Sequence, residues 1–196
     1  MSTNKDLDMS MDAELIEKLG PLGPLAGTWE GDQGIDIAPT PNGPVESRFR
    51  ERIVLDPFGP VTNREQNLYA LRYSTTAWRI GEDEAFHEEL GYWLWDSVNC
   101  QVIRTFMVPR GVCVMAGGRV EPGDRTFRLA AEAGSEVYGA LSNPFLHRSA
   151  NTDHYEVTVT VNDDGSFSYE EDTVLNFEPL GEIFHHTDGN TLSRVD

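Results

Sequence analysis

The pentapeptide Gly27-Thr28-Trp29-Glu30-Gly31 marks the point where the chain changes from a short helical opening to a long succession of predicted strands. It follows residues 20–26, Gly-Pro-Leu-Gly-Pro-Leu-Ala, whose prolines and glycines end a helix and turn the chain. A large aromatic residue at the start of a first strand typically fills one end of a core. We therefore expect Trp29 to close the floor of a β-barrel, the alternative being an ordinary buried Trp between two turn glycines.

Strand-like alternation begins soon after this motif. Residues 48–55 place three arginines on one face and Phe49, Glu51, Ile53 and Leu55 on the other. Further strands are predicted, with Gly, Pro and Asp turns between them, over residues 29–37, 65–80, 86–96, 101–108, 112–120, 126–133, 154–161, 167–177 and 183–195. This pattern predicts an all-β fold, a single antiparallel up-and-down β-barrel of about ten strands with a short N-terminal helix, because closure removes exposed edges.

The domain organisation follows from length and local composition. The 196 residues suit one domain, so we predict a disordered N-terminus over residues 1–9 and one β-barrel domain over residues 10–196. A helix from Ser10 to Leu19 is expected to lie as a lid over one end of the barrel. Residues 134–150 break the strand rhythm and are predicted to form an irregular loop over a pocket.

Charge and cysteine content exclude several classes of function. Fifteen Lys and Arg against 33 Asp and Glu give a formal charge of -18, which disfavours binding to nucleic acid or to an anionic membrane. The first residues have no apolar segment typical of a signal peptide, so we expect a cytoplasmic protein with free thiols at Cys100 and Cys113. The predicted partner is a small-molecule ligand, and a homodimer is compatible with the sequence.

The predicted barrel is too wide for side chains alone to fill, so it should hold a ligand or ordered water. Glu51 interrupts an otherwise apolar face, and His87 and Glu89 share a face with Trp93 and Trp95. Such a mixture of polar and aromatic side chains is typical of a small-molecule pocket. The alternative is that these polar groups lie on the outer wall.

Histidines are the clearest candidates for chemistry, since the sequence has no GxSxG, HExxH or phosphate-binding Gly-rich loop. His147 and His154 are expected at the surface. His185 and His186 are adjacent in the last strand, where neighbours face opposite sides, so only one of them can point into the barrel. Polar residues at 187, 188 and 190 could hydrogen-bond its ring and fix the tautomer.

Both ends of the chain resemble the nitrobindin family, haem-binding β-barrels of the fatty-acid-binding-protein-like, calycin type. Residues 22–39 resemble that family's GxWxGxG opening, with Gln33 in place of the third glycine and Gly34 one position later. Phe184-His185-His186, followed by Leu192 and Arg194, resembles its closing strand, where a histidine is the axial ligand of the haem iron. The intervening residues 188–190 alter the spacing of that motif.

The resemblance implies haem b in the barrel mouth, reversible nitric oxide binding and isomerisation of peroxynitrite to nitrate. It implies His186 as the axial ligand of the iron, with His185 as the second choice, because the second histidine matches the spacing before Leu192. The same resemblance places Gly27, Trp29 and Gly31 in the cofactor-binding opening. The alternative function is a haem-free carrier of a fatty acid or another apolar small molecule.

Overall fold

A computed structural model describes residues 13–195 of the chain. The predicted disorder of residues 1–9 and the predicted helix start at Ser10 lie outside the described residues. Residues 13–18 form a helix, α1, which leads into a 3-10 helix, η1, at Gly20–Leu25. No helix in the described part of the chain is long and apolar enough to cross a membrane.

Eleven strands and a second short helix, α2 at Pro144–Ser149, make up the rest of the fold. The strands are β1 Gly27–Thr40, β2 Gly43–Asn63, β3 Gln66–Arg79, β4 Ala85–Asp96, β5 Gln101–Val108, β6 Val112–Arg119, β7 Thr126–Ala133, β8 Gly139–Ser142, β9 Ala150–Val161, β10 Phe167–Phe177 and β11 Glu182–Arg194.

The strands close into one barrel in the order β1-β11-β10-β9-β7-β8-β6-β5-β4-β3-β2, with β2 returning to β1. The predicted all-β barrel with a short N-terminal helix is therefore confirmed, with eleven strands. All pairings are antiparallel except the short one between β7 and β8, which makes the sheet mixed. The closure of β11 on β1 joins the two ends of the chain and brings the last strand beside the first.

The prediction of an irregular loop at residues 134–150 was wrong. This stretch contains β8, which pairs with the end of β6, and α2. The helix begins where the Asn143 side chain accepts hydrogen bonds from the backbone N–H groups of Phe145 and Leu146, which is ordinary N-terminal capping. Both elements are shorter than the window over which sequence periodicity can be read.

Strand β2 also extends further than the sequence predicted. The prolines and glycine at residues 56–60 were expected to end it, yet the strand continues to Asn63. A register shift between Phe58 and Val61 absorbs the irregular residues, and pairing with β3 then resumes, with Val61 opposite Leu68. This is how a bulge accommodates proline and glycine within a paired strand.

One end of the barrel is closed by Trp29, as the sequence predicted, and by η1, which lies in the stretch that the sequence indicated only as a turn after the first helix. Leu22 and Leu25 of η1 are fully buried, and Trp29 is 1% exposed. The Trp29 indole Nε1 donates to the Leu25 carbonyl at 2.8 Å, and the ring meets Phe167 edge-on at 4.9 Å between centroids. We call this end the floor. The opposite end, where the β1–β2, β3–β4, β5–β6 and β10–β11 turns lie, is the mouth.

Cys100 and Cys113 are free, as expected. Cys100 lies in the turn before β5, and Cys113 lies within β6.

Candidate functional site

A cavity of about 280 Å³ occupies the barrel between floor and mouth, near the lower end of the size range of ordinary small-molecule sites. The polarity of the cavity wall changes between the floor and the mouth. The floor is apolar, with Leu25, Ile53, Leu55, Val157, Val159 and Phe167. Polar side chains occupy the middle, namely the buried Glu51, Tyr73, Glu89, Arg104, Tyr155 and Tyr169 and the partly buried Glu171 and Asp188. The mouth carries Asp36, Arg79, Phe86, His87, Arg110 and His186.

The polar residues singled out in the sequence face this cavity rather than the outer wall. Glu51 and Glu89 are buried, and His87 is half-buried at the mouth. Trp93 lies on the same wall, whereas Trp95 is buried and does not line the cavity. The interpretation of this face as part of a pocket is therefore confirmed for all but Trp95.

Arg104 is the centre of a buried network in the middle of the cavity wall. Its guanidinium forms ion pairs with Glu89, at 2.8 Å, and with Glu171. It also donates to the hydroxyls of Tyr73, at 2.9 Å, and Tyr155. Tyr73 in turn donates to Glu89 at 2.7 Å, and Tyr155 to Glu171 at 2.9 Å. The charge of Arg104 is thus compensated by two carboxylates.

The network stabilises the ionised form of one of these carboxylates. Burial raises the pKa of Glu89, but the charge of Arg104 and hydrogen bonds from His87 and Tyr73 outweigh it, and the pKa falls to about 2. The neighbouring His87 Nε2 lies 3.1 Å from Glu89 Oε1. A carboxylate that accepts several hydrogen bonds beside a cation is expected to stay charged at neutral pH.

Glu51 has the opposite electrostatic environment. Burial raises its pKa to about 7, although hydrogen bonds from Tyr169, at 2.8 Å, Thr75, at 2.9 Å, and Asn190, at 3.3 Å, act to lower it. Asp188 faces the same space, and burial followed by the charges of the nearby glutamates holds its pKa well above the usual value. The interior therefore keeps protons on part of its carboxylates near neutrality.

We expect Glu51→Gln to change the pH dependence of stability. The folded-state pKa of Glu51, about 7, lies above its ordinary value of 4.5, so its neutral form is favoured by folding. That contribution is complete below about pH 4.5 and is lost as the pH rises through 7, by about 3 kcal/mol at about 1.4 kcal/mol per pKa unit. The amide cannot ionise, so the variant should gain stability relative to the parent as the pH rises.

Urea unfolding at pH 4.5, 5.5 and 7.5 measures this difference. The matched control is Glu88→Gln, which removes an exposed carboxylate from the outer face of β4 and should change stability equally at each pH. Parallel stability curves for the parent and Glu51→Gln would show that Glu51 does not titrate in this window.

The adjacent histidines of β11 face opposite sides of the barrel. His185 points outward, where its Nδ1 lies 2.7 Å from Asp172 Oδ2, and its side chain is 62% exposed. His186 lies on the cavity wall at the mouth and is 32% exposed. Its Nε2 lies 2.8 Å from Oδ1 of Asp36, and Ser47 Oγ donates to the other Asp36 oxygen at 3.1 Å.

The partner of the inward-facing ring differs from the expectation. Thr187, Asp188 and Asn190 were expected to hydrogen-bond it, but these residues continue β11, with Asp188 opposite Asp36. Asp36 holds the His186 ring because barrel closure makes β1 the neighbour of β11. Burial raises the pKa of Asp36, but hydrogen bonding and charge from His186 outweigh that effect and lower it.

The remaining predicted cofactor residues, Gly27, Trp29 and Gly31, are not among the residues that line the cavity. Gly27 begins β1 with a positive φ of 132°, which favours glycine. A Cβ at Gly31 would lie 2.5 Å from the Thr191 carbonyl oxygen, so glycine permits the close approach of β11. The contacts of all three residues are structural, and a role in cofactor binding stays a prediction.

The histidines expected at the surface, His147 and His154, contact polar side chains outside the cavity. The ring of His147 is 3.0 Å from Asn151 Oδ1, and that of His154 is 2.7 Å from Glu132 Oε1. Neither residue lines the cavity.

The side chains at the mouth fit a metal that brings its own macrocyclic ligands. His186 offers an imidazole on the cavity wall, with one ring nitrogen held by Asp36, and metal-binding histidines are commonly oriented by such a carboxylate. No hydrogen bond to its Nδ1 occurs among the described residues. No group of three or more His, Cys, Asp or Glu side chains in residues 13–195 is arranged to hold a bare metal ion. His186 therefore fits the role of the single protein ligand of a metal that a macrocycle already holds.

Comparison with known proteins agrees with this interpretation. The family model described as THAP4-like, heme-binding beta-barrel domain matches residues 18–194. The crystal structure of Rv2717c from M. tuberculosis has a similar fold, with a TM-score of 0.66 and 18% identity over 91% of this chain and 98% of that chain. No curated protein sequence matches this chain. The match over residues 18–194 covers nearly all of the described barrel, and the chain belongs to the family of THAP4-like heme-binding β-barrel domains.

Proposed function

We propose that this barrel binds haem b at its mouth, with His186 as the axial ligand of the iron. The observation that carries the proposal is the pair formed by His186 and the buried Asp36, 2.8 Å apart on the cavity wall. The outward-facing His185 is paired with Asp172 on the opposite side of the sheet. Of the two adjacent histidines, only His186 is available from inside the barrel.

The residues around His186 have separable roles in this proposal. Asp36 accepts a hydrogen bond from the Nε2–H group, which fixes the ring tautomer and makes the other nitrogen a stronger donor to a metal. Ser47 and Arg79 hold Asp36 in turn, through a hydrogen bond at 3.1 Å and a charge contact at 3.9 Å. Phe49 and Phe86, 6.0 Å apart between ring centroids, supply the apolar surface that limits the access of water.

Bound haem iron would supply a coordination site for nitric oxide and for peroxynitrite, whose isomerisation to nitrate consumes no external oxidant or reductant. The protein's part would be to bind the iron through His186 and to surround the mouth with the apolar side chains of Phe49 and Phe86. We propose both activities for this chain on the strength of its family and of the Asp36–His186 pair.

The second candidate function is a haem-free carrier of an apolar small molecule. The apolar floor favours a neutral apolar ligand. A fatty acid with its carboxylate in the middle of the cavity is disfavoured, because Arg104 is already paired with Glu89 and Glu171. Two buried carboxylates beside the only guanidinium among the mid-cavity residues would repel a third.

Titration of the purified full chain with hemin distinguishes these functions. We expect a shifted Soret band that saturates at one hemin per chain. A fluorescent fatty-acid probe should not bind with comparable affinity. A folded protein that gives no Soret shift but binds a neutral apolar probe would contradict haem binding and favour the carrier.

A further inference from the structure

Two arginines lie on either side of Phe86 at the barrel mouth, at the ends of neighbouring hairpins. Arg79, the last residue of β3, places its guanidinium carbon 4.4 Å from the centre of the Phe86 ring. Arg110, in the β5–β6 turn, donates from Nη2 to the Phe86 carbonyl at 3.1 Å. All three side chains line the cavity. We call Arg79, Phe86 and Arg110 the basic rim.

The cations of the basic rim are only weakly neutralised. Arg110 has no carboxylate partner among residues 13–195, and it is exposed at the mouth. Arg79 approaches one carboxylate, Asp36, at 3.9 Å, which is long for a hydrogen-bonded ion pair. In a chain with a formal charge of -18, two cations around an apolar ring at the cavity entrance form a local site for anions.

His87 adds to the positive character of this side of the mouth. It is the neighbour of Phe86 on β4, and it lines the cavity. Burial lowers the pKa of His87, but the hydrogen bond with Glu89 and the charge of that carboxylate outweigh burial and raise it. The basic side chains of the mouth are thus grouped on β3, β4 and the β5–β6 turn.

The deeper guanidinium of Arg104 offers no comparable site. It is buried and is paired with both Glu89 and Glu171, so an added carboxylate would meet two negative groups there. A ligand with an apolar body and carboxylates at one edge therefore finds its complementary charges at the rim. His186 lies on β11, separated from β4 by β1, β2 and β3 in the order of the barrel.

We propose that the basic rim binds the carboxylates of a porphyrin and fixes its orientation in the mouth, with Arg110 as the principal contact and Phe86 as the apolar surface between the cations. This inference rests on the proposed haem binding and names a second group of residues for it. It assigns the metal to His186 on β11 and the carboxylates mainly to Arg110 in the β5–β6 turn, while Arg79, 3.9 Å from the Asp36 partner of His186, lies between the two groups.

The test compares Arg110→Gln with the parent in binding hemin, metal-free protoporphyrin IX and hemin dimethyl ester. Arg110→Gln should lower the affinities for hemin and for metal-free protoporphyrin by a similar factor, about three- to tenfold, as expected for loss of one partly exposed charge-assisted contact. The ester, which has no free carboxylate, should bind the parent and the variant equally. Arg110→Lys should recover part of the affinity. The matched control is Arg119→Gln, which removes an exposed arginine from the end of β6, at the floor end of the barrel.

Metal-free protoporphyrin separates this inference from the axial-ligand proposal, because its fluorescence reports binding without iron. If His186→Ala weakens hemin binding while Arg110→Gln weakens the binding of neither porphyrin, the proposed role of the basic rim is overturned and the assignment of His186 as axial ligand stands. If Arg110→Gln weakens the binding of both porphyrins and His186→Ala weakens the binding of neither, the proposed role of the basic rim stands and the assignment of His186 as axial ligand is overturned. If Arg110→Gln lowered the affinities for hemin dimethyl ester and for hemin by the same factor, the proposal that the basic rim recognises carboxylates would be overturned.

Discussion

Arg104→Met is expected to lower the free energy of unfolding by about 3–5 kcal/mol, the usual cost of removing one partner from a buried ion pair. Arg104 is 4% exposed, and its loss leaves Glu171 without its cation and Glu89 with only His87, 3.1 Å away, as a basic partner. Methionine replaces the alkyl part of the side chain, so packing changes little. The main cost is the lost charge compensation of two carboxylates in a mostly buried environment.

Urea unfolding at pH 7 measures this effect, with Arg52→Met as the control. Arg52 pairs with Glu30 on the outer face of the barrel, where both side chains are about half-exposed, so its loss should cost less than about 1 kcal/mol. A double variant, Arg104→Met with Glu171→Gln, should regain part of the lost stability. If Arg104→Met cost no more than Arg52→Met, the network would not contribute to the stability of the barrel.

Trp29→Ala is the second change with a large expected effect, again about 3–5 kcal/mol, the range for buried aromatic residues. The indole fills the floor, donates to the Leu25 carbonyl at 2.8 Å and packs on Phe167. Its removal creates a cavity next to η1 and leaves that carbonyl without its side-chain donor. The new cavity and the loss of this hydrogen bond both destabilise the floor of the barrel.

The control for this variant is Trp78→Ala, since Trp78 is half-buried on the outer face, under the guanidinium of Arg50. It should cost clearly less than Trp29→Ala in the same denaturant experiment, because no closed cavity forms. A loss below about 1 kcal/mol for Trp29→Ala would mean that the floor is not held by this residue.

Strand faces could be predicted from the sequence because the period of a strand is two residues. Phe49, Glu51, Ile53 and Leu55 all face inward, as the alternation of residues 48–55 indicated. The separation of His185 from His186 follows from the same rule. Closure also followed, since so many short strands without intervening helices leave few other ways to cover their edges.

The partners within the barrel could not be predicted, because they depend on register between strands far apart in sequence. Asp36 contacts His186 only because β1 closes on β11, across 150 positions of the chain. Arg104 lies between Val102 and Phe106 on one face of β5, and this interruption of an apolar face was a signal available in the sequence. The two glutamates that neutralise Arg104 come from β4 and β10, and only the closed barrel brings them together.

Hemin titration of His186→Ala beside His185→Ala tests most directly whether His186 binds the haem iron. The two variants remove the same group from adjacent positions, one facing the cavity and one facing outward. We expect His186→Ala to lose the parent's Soret shift and about tenfold or more of its hemin affinity, since the axial bond to iron is lost, while His185→Ala retains both. Loss of the Soret shift in His185→Ala, with an unchanged His186→Ala, would contradict the assignment.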